Sequence, residues 1–74
     1  MKWIKCTGPY EEQKVKLVTG RQYKIGICDS QAILSTKSKK NKDWYVVKRY
    51  PYKKNIVNHI KSIVKILEKD ELLY

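Results

Sequence analysis

Cations and aromatic rings are interleaved in one stretch of this sequence, STKSKKNKDWYVVKRYPYKK at residues 35–54. Within residues 37–54 there are eight basic residues and one acidic residue, Asp43. Lysine and arginine can neutralise phosphates while aromatic rings stack on bases, so the combination is typical of surfaces that bind nucleic acid. The same residues would also suit the acidic surface of another protein, or would only keep a hairpin soluble.

The elements that hold this stretch decide which side chains are free to bind. Residues 37–42, which contain four lysines, are predicted to lie in a polar loop. Residues 43–54 are predicted to form a strand and the segment that follows it. Because neighbouring strand residues point to opposite faces, we expect either Trp44 or Tyr45 to be in the core. Lys14, Lys16, Arg21 and Lys24 would extend the surface. The candidate contact residues are Lys37, Lys39, Lys40, Lys42, Lys48, Arg49, Tyr50, Tyr52, Lys53 and Lys54.

Residues that could perform catalysis are few and scattered. A cysteine nucleophile would need Cys6 or Cys28 beside the only histidine, His59, and nothing in the sequence brings them together. Two cysteines and one distant histidine also lack the spacing of a zinc site, and no glycine-rich phosphate loop is present. We therefore expect a non-enzymatic binding protein with no metal and no cofactor, in which both cysteines are free thiols.

The bulk composition agrees with a small binding module. The chain has 74 residues, a net charge of +10 and 42% hydrophobic residues, which suits one folded domain with a small core. Residues 55–74 are neutral, so the charge is concentrated in the middle of the sequence. There is no signal-peptide pattern and no apolar run of membrane-spanning length. We expect a cytoplasmic protein, in the host cytoplasm if a phage encodes it.

Alternating apolar and polar residues predict five strands in the first two thirds of the chain. Turns are expected at Gly8-Pro9, at residues 19–21 and at residues 29–30, and Gly26 suggests a bulge or a close backbone approach. Five short strands favour a small barrel, because closure removes exposed edges. The predicted strands are residues 2–6, 13–19, 23–28, 32–36 and 43–49.

After Pro51 the apolar period changes from two to that of an amphipathic helix, predicted over residues 55–69 with Asn55 or Asn58 as its N-cap. Its apolar stripe would pack on the open end of the barrel. The alternative is a homodimer interface formed by Ile56, Ile60, Ile63 and Leu67. Either way, residues 1–74 are expected to form a single mainly β (α+β) domain, a barrel over 2–50 followed by the helix.

The segments IKCTG, VKLVTGRQYKIGI and WYVV resemble small Src-homology-3-like β-barrel proteins of phages and prophages. The likeness rests on Ile4, Lys5, Cys6, Leu17, Thr19, Gly20, Arg21, Tyr23, Ile25, Trp44 and Tyr45. This sequence departs from that pattern in its basic hairpin and its added helix, a layout also similar to that of archaeal chromatin proteins. The resemblance implies a five-stranded barrel and motivates an alternative function, that of a small phage-encoded inhibitor binding a host or defence protein such as a nuclease or polymerase.

Overall fold

The computed structural model describes residues 2–8 and 11–72, with side chains described as far as residue 70. Each strand pairs antiparallel with the next, so the order of strands in the sheet follows the chain. The fold is mainly β with one C-terminal helix, as the periodicity predicted. Its elements are β1 Ile4–Lys5, β2 Glu11–Lys16, β3 Gln22–Cys28, β4 Gln31–Lys37, β5 Tyr45–Pro51 and α1 Ile56–Leu72.

The sheet formed by the described residues is open, and the barrel closure expected from the sequence is not confirmed. The two edge strands are β1, with two residues, and β5, with seven, so β1 offers little backbone with which to close the sheet. The helix instead packs on the central strands β3 and β4. Because α1 covers the apolar face, the sheet does not need to curve onto itself to bury it.

The core lies between one face of the sheet and α1. Strand residues alternate between the faces, and helix residues four apart share a side, so these periods bring the apolar side chains together. Ile60 and Val64 are fully buried at 0% exposure, and each such side chain stabilises the fold by about 1.5–3 kcal/mol. The buried cluster is Val15, Leu17, Tyr23, Ile25, Ala32, Leu34, Ile56, Ile60 and Val64.

The helix is longer than predicted and begins after Asn55, which has a left-handed backbone with φ of 67°. The carbonyl of Asn55 accepts the N–H of His59 at 3.1 Å, so it supplies the first helical hydrogen bond. Ile56 and Ile60 lie on the side of the helix that faces the sheet and belong to the core. A homodimer through this stripe would therefore require α1 to detach from the sheet. Among the described residues, no helix has the length and apolar character needed to cross a membrane.

The two tight turns that fall within the described residues are as predicted. Gly20 has a φ of 93°, a conformation that favours glycine, and Leu17 and Arg21 close the β2–β3 turn with an N–H to carbonyl bond of 2.8 Å. Asp29 and Ser30 both have positive φ and join β3 to β4 in a two-residue hairpin. Of the predicted Gly8-Pro9 turn, Pro9 lies outside the described residues.

Strand β5 differs from the prediction in its side-chain orientation. Neither Trp44 nor Tyr45 is in the core, since Trp44 is half-buried and Tyr45 is 54% exposed. Leu34 pairs with Lys48 while Ser35 pairs with Val46, so Val47 is an extra, bulged residue that resets the alternation. Of the bulge or close backbone approach expected at Gly26, the bulge is absent, because Gly26 pairs regularly with Glu12 and Ile33.

Candidate functional site

The face of the sheet opposite α1, here called the helix-free face, carries residues from all five strands. One row of paired residues crosses it, and this row contains two adjacent lysines: Ile4, Lys14, Lys24, Ser35 and Val46. In the next row, Gln22 pairs with Lys16 on one side and with Lys37 on the other. The face is basic because lysine occupies half of its polar positions in β2, β3 and β4, and most of the others are uncharged.

One acidic strand residue opposes these cations on the described part of the helix-free face. Arg49 pairs with Ile33, which pairs with Gly26, which in turn pairs with Glu12, so all four share this face. The charges of the helix-free face are therefore those of Lys14, Lys16, Lys24, Lys37 and Arg49 against that of Glu12. By comparison, the sequence of α1 has three lysines and three acidic residues, and is neutral.

Trp44 lies on this face with two ammonium groups over its ring. The Nζ of Lys24 is 4.7 Å from the ring centroid and the Nζ of Lys37 is 5.2 Å from it. Such contacts stabilise by about 0.5–1 kcal/mol each at exposed sites. The ring and the two cations form a compact group. The ring is a flat apolar surface, and the two ammonium groups beside it can each pair with an anion.

An open trough of about 400 Å³ lies beside this group. Its lining includes Gly26, which has no side chain, together with Lys24 and Glu12. Most of its remaining lining is apolar or small: Ile27, Cys28, Ile33, Ser35 and Val46. The thiol of Cys28 is free and half-buried. A volume of this size lies within the range of about 300–1,000 Å³ that is usual for small-molecule pockets.

At one end of the sheet a second depression of about 320 Å³ lies between the β2–β3 turn and the loop of residues 38–44; its lining is Thr19, Arg21, Ser38, Lys39 and Lys40. Lys39 packs on the turn so closely that a Cβ added to Gly20 would come within 2.9 Å of its Cδ. The Nη1 of Arg21 donates to the Oγ1 of Thr36 at 3.3 Å. The Lys39 side chain therefore lies against the β2–β3 turn, and three cations line this depression.

The structure distributes the remaining predicted contact residues over three places. Lys42 is exposed in the loop of residues 38–44. Strand β5 spans about 20 Å and carries Lys53 and Lys54 to the other end of the sheet, where the N–H of Tyr52 donates to the carbonyl of Ser30 at 3.0 Å. Residues 37–54 therefore do not form one continuous face.

Lys48 and Tyr50 lie on the helix-covered side. Tyr50 packs against the core and meets the ring of His59 edge-on, with the centroids 6.4 Å apart. The Nζ of Lys48 lies 5.2 Å from the centroid of the Tyr50 ring. Because the ring of Tyr50 is engaged by the fold, it is less available to a partner than the sequence suggested.

From the sequence, Lys14, Lys16 and Lys24 were predicted only as an extension of the surface, and Glu12, Gly26 and Trp44 were not among the predicted contact residues. The signal for the lysines was present, since each alternates with a core residue of the same strand. Trp44 was not among the predicted contact residues because alternation placed either Trp44 or Tyr45 in the core without deciding between them.

Comparison of the chain with protein-family models, with curated proteins and with solved structures gave no match. The resemblance to phage Src-homology-3-like proteins therefore stays a prediction. Within residues 2–8 and 11–72, no group of three or more His, Cys, Asp or Glu side chains is placed to hold a metal ion.

Proposed function

We propose that this protein is a non-enzymatic nucleic-acid-binding module and that the helix-free face is its binding surface. The observation that carries the proposal is the Trp44 ring with the Nζ atoms of Lys24 and Lys37 at 4.7 and 5.2 Å. A nucleotide presents a flat base and an anionic phosphate a few ångströms apart, and this group offers a partner for each.

The pairing of Lys14 with Lys24 supports an anionic partner. These residues are directly opposite each other on adjacent strands, and like charges in that position destabilise a sheet. A sequence selected for stability alone would place an acidic or neutral residue at one of the two positions. Local rules of this kind are commonly broken at functional sites, and a phosphate bound between the two ammonium groups would remove the repulsion.

The depression at the end of the sheet would extend the same path. Arg21, Lys39 and Lys40 line it together with the hydroxyl-bearing residues Thr19 and Ser38, and no acidic residue lines it. It lies at the end of the sheet where the loop of residues 38–44 begins after Lys37 and ends with Trp44. A nucleic-acid backbone crossing the helix-free face could therefore leave it over a second group of cations.

The test is a titration of fluorescently labelled oligonucleotide, read by anisotropy at several salt concentrations. Four or five phosphate contacts to a single strand give a slope of about −3 for log affinity against log salt, or a loss of about 60-fold between about 50 and about 200 mM salt. Changing Lys24→Glu together with Lys37→Glu should weaken binding by about 100-fold and reduce the slope by about 1.4, the value for two phosphate contacts to a single strand.

The matched control is Lys53→Glu with Lys54→Glu, which makes the same change in net charge at the opposite end of the sheet. It should weaken binding only a few-fold and leave the salt slope unchanged. Equal losses from the two pairs would mean that net charge, and not this face, drives association.

Poly-glutamate serves as the probe for an acidic protein partner, the alternative function. Binding of poly-glutamate as tight as that of the oligonucleotide would contradict the proposal.

A further inference from the structure

We propose that the trough beside Trp44 holds an unstacked base, so that the protein prefers single-stranded nucleic acid to duplex. This inference rests on the proposed function and adds the form of the ligand. Gly26 lies near the middle of β3 and is the one residue of this strand without a side chain. The missing side chain creates the depression between Lys24 and Cys28 on the helix-free face.

Nothing in the backbone requires glycine at this position. Gly26 does not have the positive φ that side chains rarely adopt, and it is regularly paired on both sides. A Cβ added there would come no closer than 3.4 Å to another heavy atom, and that atom is the flexible Cγ of Glu12. Glycine weakens a strand interior relative to residues with a side chain. The space that it leaves open is therefore a candidate for function.

The lining of the trough fits a base better than a phosphate. Ile33 and Val46 form apolar parts of its lining, and Val46 is 51% exposed. Desolvating a phosphate against such side chains is unfavourable, whereas the flat face of a base is accommodated.

Cations lie in and around the trough, where they could contact the phosphates of a single-stranded nucleic acid. Lys24 lines the trough itself, its neighbour Lys14 lies one strand away, and Arg49 lies beside Ile33 on the other side. A strand with its base in the trough could place flanking phosphates on these groups. In a duplex the bases are paired and stacked inside, so its phosphates would face the apolar lining and the trough would stay empty.

The test compares wild type with Gly26→Val, using labelled oligothymidylate of about 12 nucleotides and a duplex of the same length. Wild type should bind the single strand at least about tenfold more tightly than the duplex. Valine should occupy part of the trough and weaken single-strand binding about tenfold, the value of one lost stacking contact, with the salt slope unchanged. Gln31→Val is the control, because it adds a β-branched side chain to the same face outside the trough and should leave affinity unchanged.

Two failures are distinguishable. If wild type binds neither probe in a salt-dependent manner, the proposed function itself is overturned. If wild type binds the duplex and the single strand with equal affinity, and Gly26→Val has the affinity of wild type, then the trough assignment is overturned. The proposal that the helix-free face binds nucleic acid is unaffected by that result.

A second measurement covers the case in which Gly26→Val does not fold, as judged by circular dichroism. In a Cys6→Ser background, alkylation of the Cys28 thiol should slow at least about tenfold on saturation with oligothymidylate, because the base covers the trough lining. An unchanged alkylation rate in the saturated protein would overturn the assignment.

Discussion

The two faces of this sheet are built from the same strands and have opposite properties. Strand β3 contributes Tyr23, Ile25 and Ile27 to the helix-covered face and Lys24, Gly26 and Cys28 to the helix-free face. The first set packs in or against the core, and the second lines an open trough beside Trp44, to whose lining Ile27 also contributes. The alternation of a strand therefore separates stability from binding within seven residues, so a substitution on one face should leave the property of the other face largely intact.

The added helix is what makes this division possible. By covering the apolar face of β3 and β4, it allows the sheet to remain open and the opposite face to remain polar. Strand β5 presents a free edge, but its bulge, its adjacent cations Lys48 and Arg49, and Pro51 at its end are features that discourage pairing with another strand. The helix-free face is thus available without inviting aggregation along that edge.

The largest expected effect is on the helix-covered face. Ile60→Ala should lower the free energy of unfolding by about 2–5 kcal/mol, because it opens a cavity at a fully buried position. Ile33→Ala removes the same atoms from a half-buried position on the helix-free face and should cost about 1 kcal/mol or less. Urea unfolding of the two variants measures the difference, and equal losses would show that both faces are core.

The two tryptophans give a contrast of intermediate size. Trp44→Ala should weaken oligonucleotide binding by about 5- to 100-fold through loss of stacking, while the lost cation–π contacts cost about 1–2 kcal/mol of stability. Trp3 packs against the core with the Nζ of Lys61 at 5.5 Å from its ring centroid. Trp3→Ala should therefore destabilise the fold and leave affinity unchanged in the folded protein. Anisotropy titrations with thermal melts compare the variants, and the reverse pattern would exchange the roles of the faces.

The smallest expected effect concerns Glu12, whose side chain lies against Gly26 at the side of the trough. Its carboxylate repels phosphate, and exposed charge interactions of this kind amount to less than about 1 kcal/mol. Glu12→Gln should therefore raise affinity about two- to fivefold at low salt. Glu68→Gln, an equal change of charge on α1, is the control and should have a smaller effect. A loss of affinity in Glu12→Gln would indicate that the carboxylate itself contacts the ligand.

The secondary structure was predictable because each element has its own period of apolar residues. The alternation around Val15 and Ile25 and the helical spacing of Ile56 and Ile60 each matched the face that is buried. The turns at Gly20 and at Asp29-Ser30 were predictable from residues that tolerate positive φ. Whether the sheet closes could not be predicted, because that depends on how many residues of β1 pair and on where the helix packs.

The binding surface was only partly predictable, since it depends on register. Lys14 and Lys24 are ten residues apart in sequence and adjacent in the sheet, a pairing that depends on the register of the β2–β3 hairpin, which was not assigned from the sequence. The bulge at Val47 moved Lys48 and Tyr50 to the helix-covered side, which alternation from Trp44 onward did not predict. The surface predicted from the run of charge at residues 37–54 is thus less continuous than expected. Lysines from separate strands form a more compact basic surface.

The claim that one face binds and the other stabilises is tested most directly by the two tryptophan indole N–H signals, one on each side of the sheet. A ¹⁵N-labelled sample gives one signal for each indole, assigned with Trp3→Phe and Trp44→Phe. On titration with oligothymidylate the signal of Trp44 should shift strongly, and the signal of Trp3, beside α1, should stay in place. A shift of the Trp3 signal with the Trp44 signal unmoved would contradict the account.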